Sequence, residues 1–233
     1  MSSALFSSFL VWYLVLLFST TLHEAMHSYV SKWGGDATAH AQATLNPIPH
    51  IQRSPFGMVV VPILTFVLSK GNSLIGWASA PYNPYWAARY PKRAFLMSLA
   101  GPLSHLPLIL LSFAAMAIGL QNGYFDTLKM YNDMLMYPVA PGQPDNVCWA
   151  LAMLCNVAFR LNCLLFFFNL IPLPPLDGSE VWYLFVKREE DRLRYRMLAG
   201  GYSFAGLMLA WYILNNYYMY VEGFFLRGLY RFA

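Results

Sequence analysis

Four long runs of the chain carry almost no charge, and they restrict the possible folds more than any other feature of the sequence. Two of these runs have no charged side chain, a third has only His105, and the fourth has only Arg160. A helix needs about 20 apolar residues to cross the hydrocarbon core of a bilayer. The runs therefore predict transmembrane helices at about residues 4–29, 94–120, 146–172 and 197–221.

The composition favours a membrane protein over a soluble domain. Charged residues make up 11% of the chain and hydrophobic residues 58%, whereas an average soluble domain is about 25% charged. The net charge of +4 is dispersed, without a basic run interleaved with aromatic residues, so no nucleic-acid partner is expected. The three cysteines have no metal or disulfide spacing, and we interpret them as packing residues: Cys148, Cys155 and Cys163.

A fifth apolar stretch, at 54–69, is too short to be read in the same way. Only about 13 of its residues are strongly apolar, and Pro62 interrupts it. Stretches of about 10–14 apolar residues are more often re-entrant or interfacial than spanning. The predicted fold is thus an all-α polytopic membrane protein, a single domain over 1–233 with about four transmembrane helices and a re-entrant hairpin. Short membrane-associated β-strands are also allowed.

The loop charges give the predicted orientation. Six basic residues lie between the first two runs and five follow the third, at 187–196, whereas the loop at 121–145 has Lys129 against three aspartates. Since cytoplasmic loops are enriched in Lys and Arg, the first and third connections are predicted to be cytoplasmic, in the plasma membrane. This holds only if 54–69 enters and leaves on one side, because a full crossing would put 173–196 outside.

Polar chemistry appears where the first apolar run ends, in "HEAMH". His23 and His27 are four residues apart, so on a helix they share a face and both can reach one Zn²⁺ at about 2.0–2.1 Å. Glu24 lies beside them, where a general base for an attacking water is needed. The alternative is a helix end whose histidines lie among headgroups, but ionisable groups at membrane depth are usually functional.

A catalytic zinc needs a third protein ligand, and the sequence offers several candidates: Asp36, His40, His50, His105 and Asp177. Asp177 is favoured because it follows a proline-rich stretch, Pro172 to Pro175, that cannot continue the preceding helix. Extended backbone at membrane depth is tolerated only inside protein or beside a watery cavity. In the predicted topology the first and third spans end on the same face, which brings Asp177 to the two histidines.

These motifs resemble the site-2 protease family of intramembrane zinc metalloproteases, over roughly residues 15–190. "NLIPLPPLDG" matches the family pattern N-x-x-P-x-P-x-x-D-G, and "TLNPIPHI", "GWASAPYNP" and "LAGPLSH" are similar to intervening family segments. The resemblance implies one zinc on His23, His27 and Asp177, with Glu24 as base, and cleavage of a substrate's transmembrane segment. The length suggests a minimal core without appended soluble domains.

Two departures and several polar residues leave alternatives open. The family usually has Asn where His105 stands and often Asp where Gln52 stands. His105 could donate to a ligand or contact substrate, or make an interhelical hydrogen bond. Asn169 could donate to the oxyanion or to substrate, or pack helices. Two further residues are expected to organise their loop rather than bind metal, and are kept as candidates for contact with substrate or with a ligand: Asn46 and His50.

The expected partners are a transmembrane protein substrate and the lipid bilayer, with room for a regulatory membrane partner. The 44–84 segment could pair with an unwound substrate as an added strand. Two other functions compete with proteolysis: a catalytically silent relative that binds membrane proteins, and a membrane metal carrier. Intact Glu24 argues against the first, and the scarcity of further ligands along the spans argues against the second.

Overall fold

A computed structural model describes residues 3–38, 43–71, 74–125, 147–229 and 231. The protein is an all-α polytopic membrane protein, and the described residues contain no β-strand, so the short strands allowed by the sequence are absent there. The α-helices are α1 Ser3–Trp33, α2 Pro47–Arg53, α3 Val61–Leu68, α4 Pro84–Arg89, α5 Pro91–Leu103, α6 His105–Gln121, α7 Val147–Asn169, α8 Glu189–Gly201 and α9 Ser203–Leu229. A π-helical turn, Phe56–Val60, precedes α3, and a 3₁₀ helix, Asp177–Leu184, follows α7.

Three of the predicted spans are long apolar helices in the structure. They cover Leu5–Trp33, Pro91–Gln121 and Val147–Asn169 and contain 29, 31 and 23 residues. At about 1.5 Å per residue, even 23 residues reach about 35 Å, enough to cross the roughly 30 Å hydrocarbon core. The second span is interrupted at Ser104, where α5 ends and α6 begins. The apolar run over 94–120 does not indicate this break.

The fourth predicted span differs from the structure at both ends. Its predicted start, residue 197, lies in α8, which is bent from α9 by 73°. α9 then continues past the predicted end at 221 to Leu229, and Glu222 lies inside it. Glu222 is buried and accepts a hydrogen bond of 3.0 Å from Nε of Arg160 on α7. This ion pair lets an acidic residue lie within a helix whose sequence pattern suggests an end at that point.

Within the 54–69 stretch, residues 56–68 are continuously helical, so Pro62 does not interrupt it. The π-helical turn leads directly into α3, and Pro62 lies in the first turn of α3, where its missing N–H costs least. The 13 residues from Phe56 to Leu68 span about 20 Å, less than a bilayer. They meet α2 at 110°. A short, sharply bent pair of this kind suits the predicted re-entrant hairpin.

Two apolar clusters hold the spans together around α7. One joins α6, α7 and α9 through fully buried residues such as Met116 and Phe159. The other joins α1, α3 and α7 and includes Leu16 and Phe66. α1 also packs along α5, and α5 packs against the 3₁₀ helix. The end of α1, the middle of α5 and the start of the 3₁₀ helix therefore meet at one place.

α8 is fixed to the other helices by two of its arginines. Arg192 and Arg196 are four residues apart and both buried. Arg192 donates to the backbone carbonyls of Ala88 at the end of α4 and of Val186 just before α8. The basic residues that suggest a cytoplasmic loop thus include two with a structural role in joining α8 to its neighbours.

Candidate metal centre

The two histidines of "HEAMH" lie one turn apart near the end of α1 and face the same side. Their Nε2 atoms are 2.9 Å apart, and both residues are buried. This turn follows a run of 20 apolar or small residues, and α1 packs against α5. The two histidines therefore face a neighbouring helix rather than solvent. The helical spacing of four residues thus brings two imidazole nitrogens together, as the sequence predicts.

The neighbouring helix sets the orientation of His27. Its Nδ1 is 2.8 Å from the backbone carbonyl of Met97 on α5. A carbonyl oxygen can only accept, so Nδ1 carries the proton and donates. In the neutral ring Nε2 then presents a lone pair toward His23. A metal-binding histidine requires this arrangement.

Asp177, the first residue of the 3₁₀ helix, completes the group from a segment 150 positions after His27 in the chain. Its Oδ2 lies 3.1 Å from Nε2 of His23, and its Oδ1 lies 3.3 Å from Nε2 of His27. Ser98 on α5 fixes the backbone here by donating to the Asp177 carbonyl at 2.8 Å. Gly178 follows, where any Cβ would collide with the carbonyl of Leu170, so the tight return of the chain requires glycine.

The charge state of Asp177 suits a ligand. Burial raises the pKa of this carboxyl, but when no metal is bound, protonated His27 and His23 outweigh burial through charge and hydrogen bonds and hold the pKa well below its ordinary value. A bound cation would replace those protons and stabilise the same charged form. The side chain is therefore a carboxylate, the form in which Asp coordinates metals.

The geometry fits a zinc ion. Ligand atoms about 2.0–2.1 Å from a tetrahedral Zn²⁺ lie about 3.3 Å from one another. The shortest contacts between the three side chains are 2.9, 3.1 and 3.3 Å, the last two through different oxygens of Asp177. With both histidine protons on Nδ1, Asp177 Oδ2 is buried without a hydrogen-bond donor. Lone-pair atoms at such short range repel unless a cation lies between them. Within the described residues this is the group suited to a metal.

Gly101 on α5 leaves the space that the three ligands need. A Cβ at this position would lie 2.7 Å from Nε2 of His23 and closer still to Nε2 of His27. Gly101 is buried and belongs to "LAGPLSH". Its missing side chain therefore lets the helix backbone form one wall of the metal site.

Glu24 lies next to the ligands and faces a cavity of about 770 Å³. Its side chain is buried, yet no hydrogen bond or ion pair among the described residues engages its carboxylate. Both oxygens are thus available to a bound molecule. The cavity walls are mainly apolar, with aromatic rings from Trp77, Phe168 and Trp211.

An ion pair between α8 and the 3₁₀ helix lines the cavity. Arg196 binds Glu180 of the 3₁₀ helix through both terminal nitrogens, with Nη2 to Oε2 at 2.7 Å, and its guanidinium lies 4.0 Å from the ring centre of Tyr183. Glu180 is three residues after Asp177. Its bidentate pairing occupies the Glu180 carboxylate and joins the segment that carries Asp177 to α8.

Two of the secondary candidates from the sequence lie at the site. His105, at the first position of α6, is fully buried with Nε2 3.0 Å from Nδ1 of His23. Asn169 lines the cavity, and its amide donates to the Leu165 carbonyl of its own helix at 3.0 Å. That bond uses one of its two N–H groups, so the other remains for a substrate.

The remaining candidates lie away from the site. Asn46 caps α2 by accepting from the Ile48 amide at 3.0 Å, and buried His50 contacts the Thr44 carbonyl at 3.1 Å. Asp36 accepts from the backbone of Thr38 and Asn83. None of the three lines the cavity, and His40 lies outside the described residues.

Sequence reasoning missed several residues that shape the site. They are the Met97 carbonyl, Ser98 and Gly101 on α5 and Asn162 on α7. Asn162 did leave a signal, because it is a polar residue inside an apolar span. It also precedes Asn169 by seven residues, or nearly two turns, which places both on one face of α7.

The chain matches the model of peptidase family M50 over residues 11–213. A curated relative from Bacillus subtilis (strain 168), named "Putative zinc metalloprotease YwhC", is 33% identical over 171 residues, which cover 72% of this chain. The alignment spans 65% of the length of that relative. No solved structure matches the chain.

Proposed function

Since this chain belongs to peptidase family M50, we propose that it is a zinc-dependent endopeptidase that hydrolyses a peptide bond in or near the transmembrane segment of a membrane protein. One observation carries the proposal. Two imidazole nitrogens and a carboxylate converge within 3.3 Å, beside a carboxylate with no partner among the described residues, in a cavity between apolar helices. The name of the bacterial relative indicates the same metal and the same class of reaction.

His23, His27 and Asp177 would hold one zinc ion. When bound, zinc acts as a Lewis acid that polarises a carbonyl and lowers the pKa of water toward about 7. Glu24 then takes a proton from the attacking water and passes one to the leaving amine. The Met97 carbonyl keeps the proton of His27 on Nδ1, and Ser98 holds the backbone of Asp177, so the ligands stay aimed at one point. The apolar walls limit the water that reaches the site.

A transmembrane helix must unwind before its peptide bonds can be attacked, and residues 74–83 are suited to receive the extended chain. This segment runs along the cavity without helical structure. Trp77 bonds to the Gly57 carbonyl at 3.0 Å, but the backbone of residues 78–80 makes no hydrogen bond to another described residue. A substrate strand can add to such free backbone groups. Asn169 can contribute its remaining N–H.

Zinc removal tests the proposal. The purified wild-type protein is expected to contain about one zinc ion per chain and to cut single-span substrates in vesicles, with cleavage lost on chelation and restored by zinc. Asp177→Ala should lower the zinc content toward zero because it removes one of three ligands. Asp191→Ala, in the first turn of α8, should retain both zinc and activity. Zinc retained in Asp177→Ala would contradict the ligand assignment.

We also place the site near the cytoplasmic face of the plasma membrane, on the basis of the loop charges. In a protein without its native cysteines, Lys70→Cys and Lys187→Cys are expected to react with a membrane-impermeant thiol reagent from the same, cytoplasmic side. Asn122→Cys, just after α6, should react from the opposite side. All three positions are exposed. A full crossing by 54–69 would place Lys70 and Lys187 together on the outer side, so the deciding pair is Lys70→Cys and Lys32→Cys, an exposed position before the stretch. Labelling of Lys32→Cys and Lys70→Cys from opposite sides would contradict the re-entrant assignment of 54–69.

A further inference from the structure

We propose that Asn162 and His105 form a directed hydrogen-bond chain that fixes the tautomer of His23, which makes Asn162 a positioning residue of the metal site. The proposal rests on the proposed zinc centre. It assigns a role to a polar residue of α7 that touches none of the three ligands. It also gives His105 a defined chemical task.

The chain of contacts starts inside α7. The Asn162 Nδ2 is 2.7 Å from the carbonyl of Ala158, one turn earlier. A carbonyl can only accept, so this end of the amide is the donor, and Oδ1 is the end that faces His105. Oδ1 lies 2.7 Å from Nδ1 of His105. Asn162 and His105 are both fully buried, so no water competes for these groups.

Each proton position then follows from the one before. Because Oδ1 of Asn162 accepts, Nδ1 of His105 carries its proton, and Nε2 of the neutral ring becomes an acceptor. That Nε2 lies 3.0 Å from Nδ1 of His23. His23 therefore donates from Nδ1 and keeps the lone pair on Nε2, the atom that faces Asp177. The Met97 carbonyl does the same for His27 in one step.

Loss of the Asn162 amide would remove this constraint. His105 could then carry its proton on Nε2, pointing at the Nδ1 proton of His23, and two donors would face each other at 3.0 Å. His23 could relieve this clash by moving its proton to Nε2, which removes the lone pair needed for the metal. Changes to the hydrogen-bond partners of metal-binding histidines typically lower metal affinity by about 10–100-fold.

The test measures zinc affinity of the purified protein by competition with a chromophoric chelator. Asn162→Leu, similar in volume but without an acceptor, is expected to weaken zinc binding by about 10–100-fold. Asn162→Asp keeps the acceptor Oδ1, and as a buried, protonated acid it can still donate to the Ala158 carbonyl, so it should bind zinc about as tightly as wild type. The control is Asn216→Leu, which removes an exposed asparagine on α9 with the same bond to the carbonyl four residues earlier, at 2.7 Å. It should leave zinc affinity unchanged.

A double mutant separates positioning from general destabilisation. If Asn162 acts through His105, then Asn162→Leu should add nothing to the loss caused by His105→Leu, whereas independent structural effects would add. Unchanged zinc affinity in Asn162→Leu, additive losses, or failure of Asn162→Asp to retain zinc would each overturn the inference. If Asn162→Leu does not fold, the zinc affinities of Asn162→Ala and Asn162→Asp decide the inference. Asn162→Ala should lose affinity and Asn162→Asp should keep it. A wild-type protein that binds no zinc would instead overturn the proposed function.

Discussion

Glu24→Gln is expected to lower the rate of peptide-bond cleavage by roughly 10²–10⁴-fold, the usual contribution of a general base. Gln has nearly the same shape but cannot take a proton from water. Glu24 is not among the three converging ligands, and no hydrogen bond to a described residue engages its carboxylate. The substitution should therefore leave zinc content and thermal stability close to those of wild type.

The measurement is cleavage of a single-span substrate in vesicles, with zinc content determined on the same preparations. Glu190→Gln is the matched control, because Glu190 is an exposed glutamate in the first turn of α8, and it should retain full activity. If the Glu24→Gln protein cleaved substrate at the wild-type rate, the assignment of Glu24 as base would be wrong. Loss of zinc together with activity would instead make Glu24 a ligand.

Gly101→Ala is expected to abolish zinc binding and activity together, although it adds only one methyl group. The new Cβ would occupy the space beside the Nε2 atoms of His23 and His27, at 2.7 Å from the first. The two rings cannot move aside without breaking the hydrogen bonds of their other nitrogens, because Nδ1 of His27 binds the Met97 carbonyl and Nδ1 of His23 binds His105. We expect zinc affinity to fall by more than roughly 100-fold, beyond the range for indirect changes near a metal.

Gly223→Ala is the control, because a Cβ on Gly223 of α9 meets nothing within 4 Å. Helix propensity favours Ala over Gly by about 1 kcal/mol, so this variant should be at least as stable as wild type and fully active. Zinc titration and thermal unfolding of both proteins give the answer. Wild-type zinc affinity in Gly101→Ala would show that α5 does not approach the ligands as closely as described.

The spans and the convergence of the two histidines could be predicted because each depends on local sequence. Apolar runs, interrupted by charge in α7 only at Arg160, indicate α1 and α7, and helical periodicity places His23 and His27 on one face. Asp177 is distant in sequence, but the prolines before it and the common face of two spans indicate where it lies. In the structure the three side chains converge, and their role as metal ligands stays a prediction.

The features that the sequence did not reveal depend on contacts between distant segments. The extension of α9 beyond residue 221 depends on Arg160, which lies 62 positions before Glu222. The helical course through Pro62 depends on a π-helical turn that no periodicity indicates. The role of Asn162 requires knowing that His105 lies between it and His23. Hydrophobic pattern alone cannot identify such partners.

The pairing of Arg160 with Glu222 bears on how the protein is made. Translocon-insertion scales put a charged residue at the centre of a helix at about 2.5–3.5 kcal/mol, and the carboxylate that binds Arg160 at 3.0 Å lies on α9, which follows α7 in the chain. We therefore expect membrane integration of α9 to be coupled to its docking on α7. Biogenesis of this helix would then be a step of tertiary folding as well as of insertion.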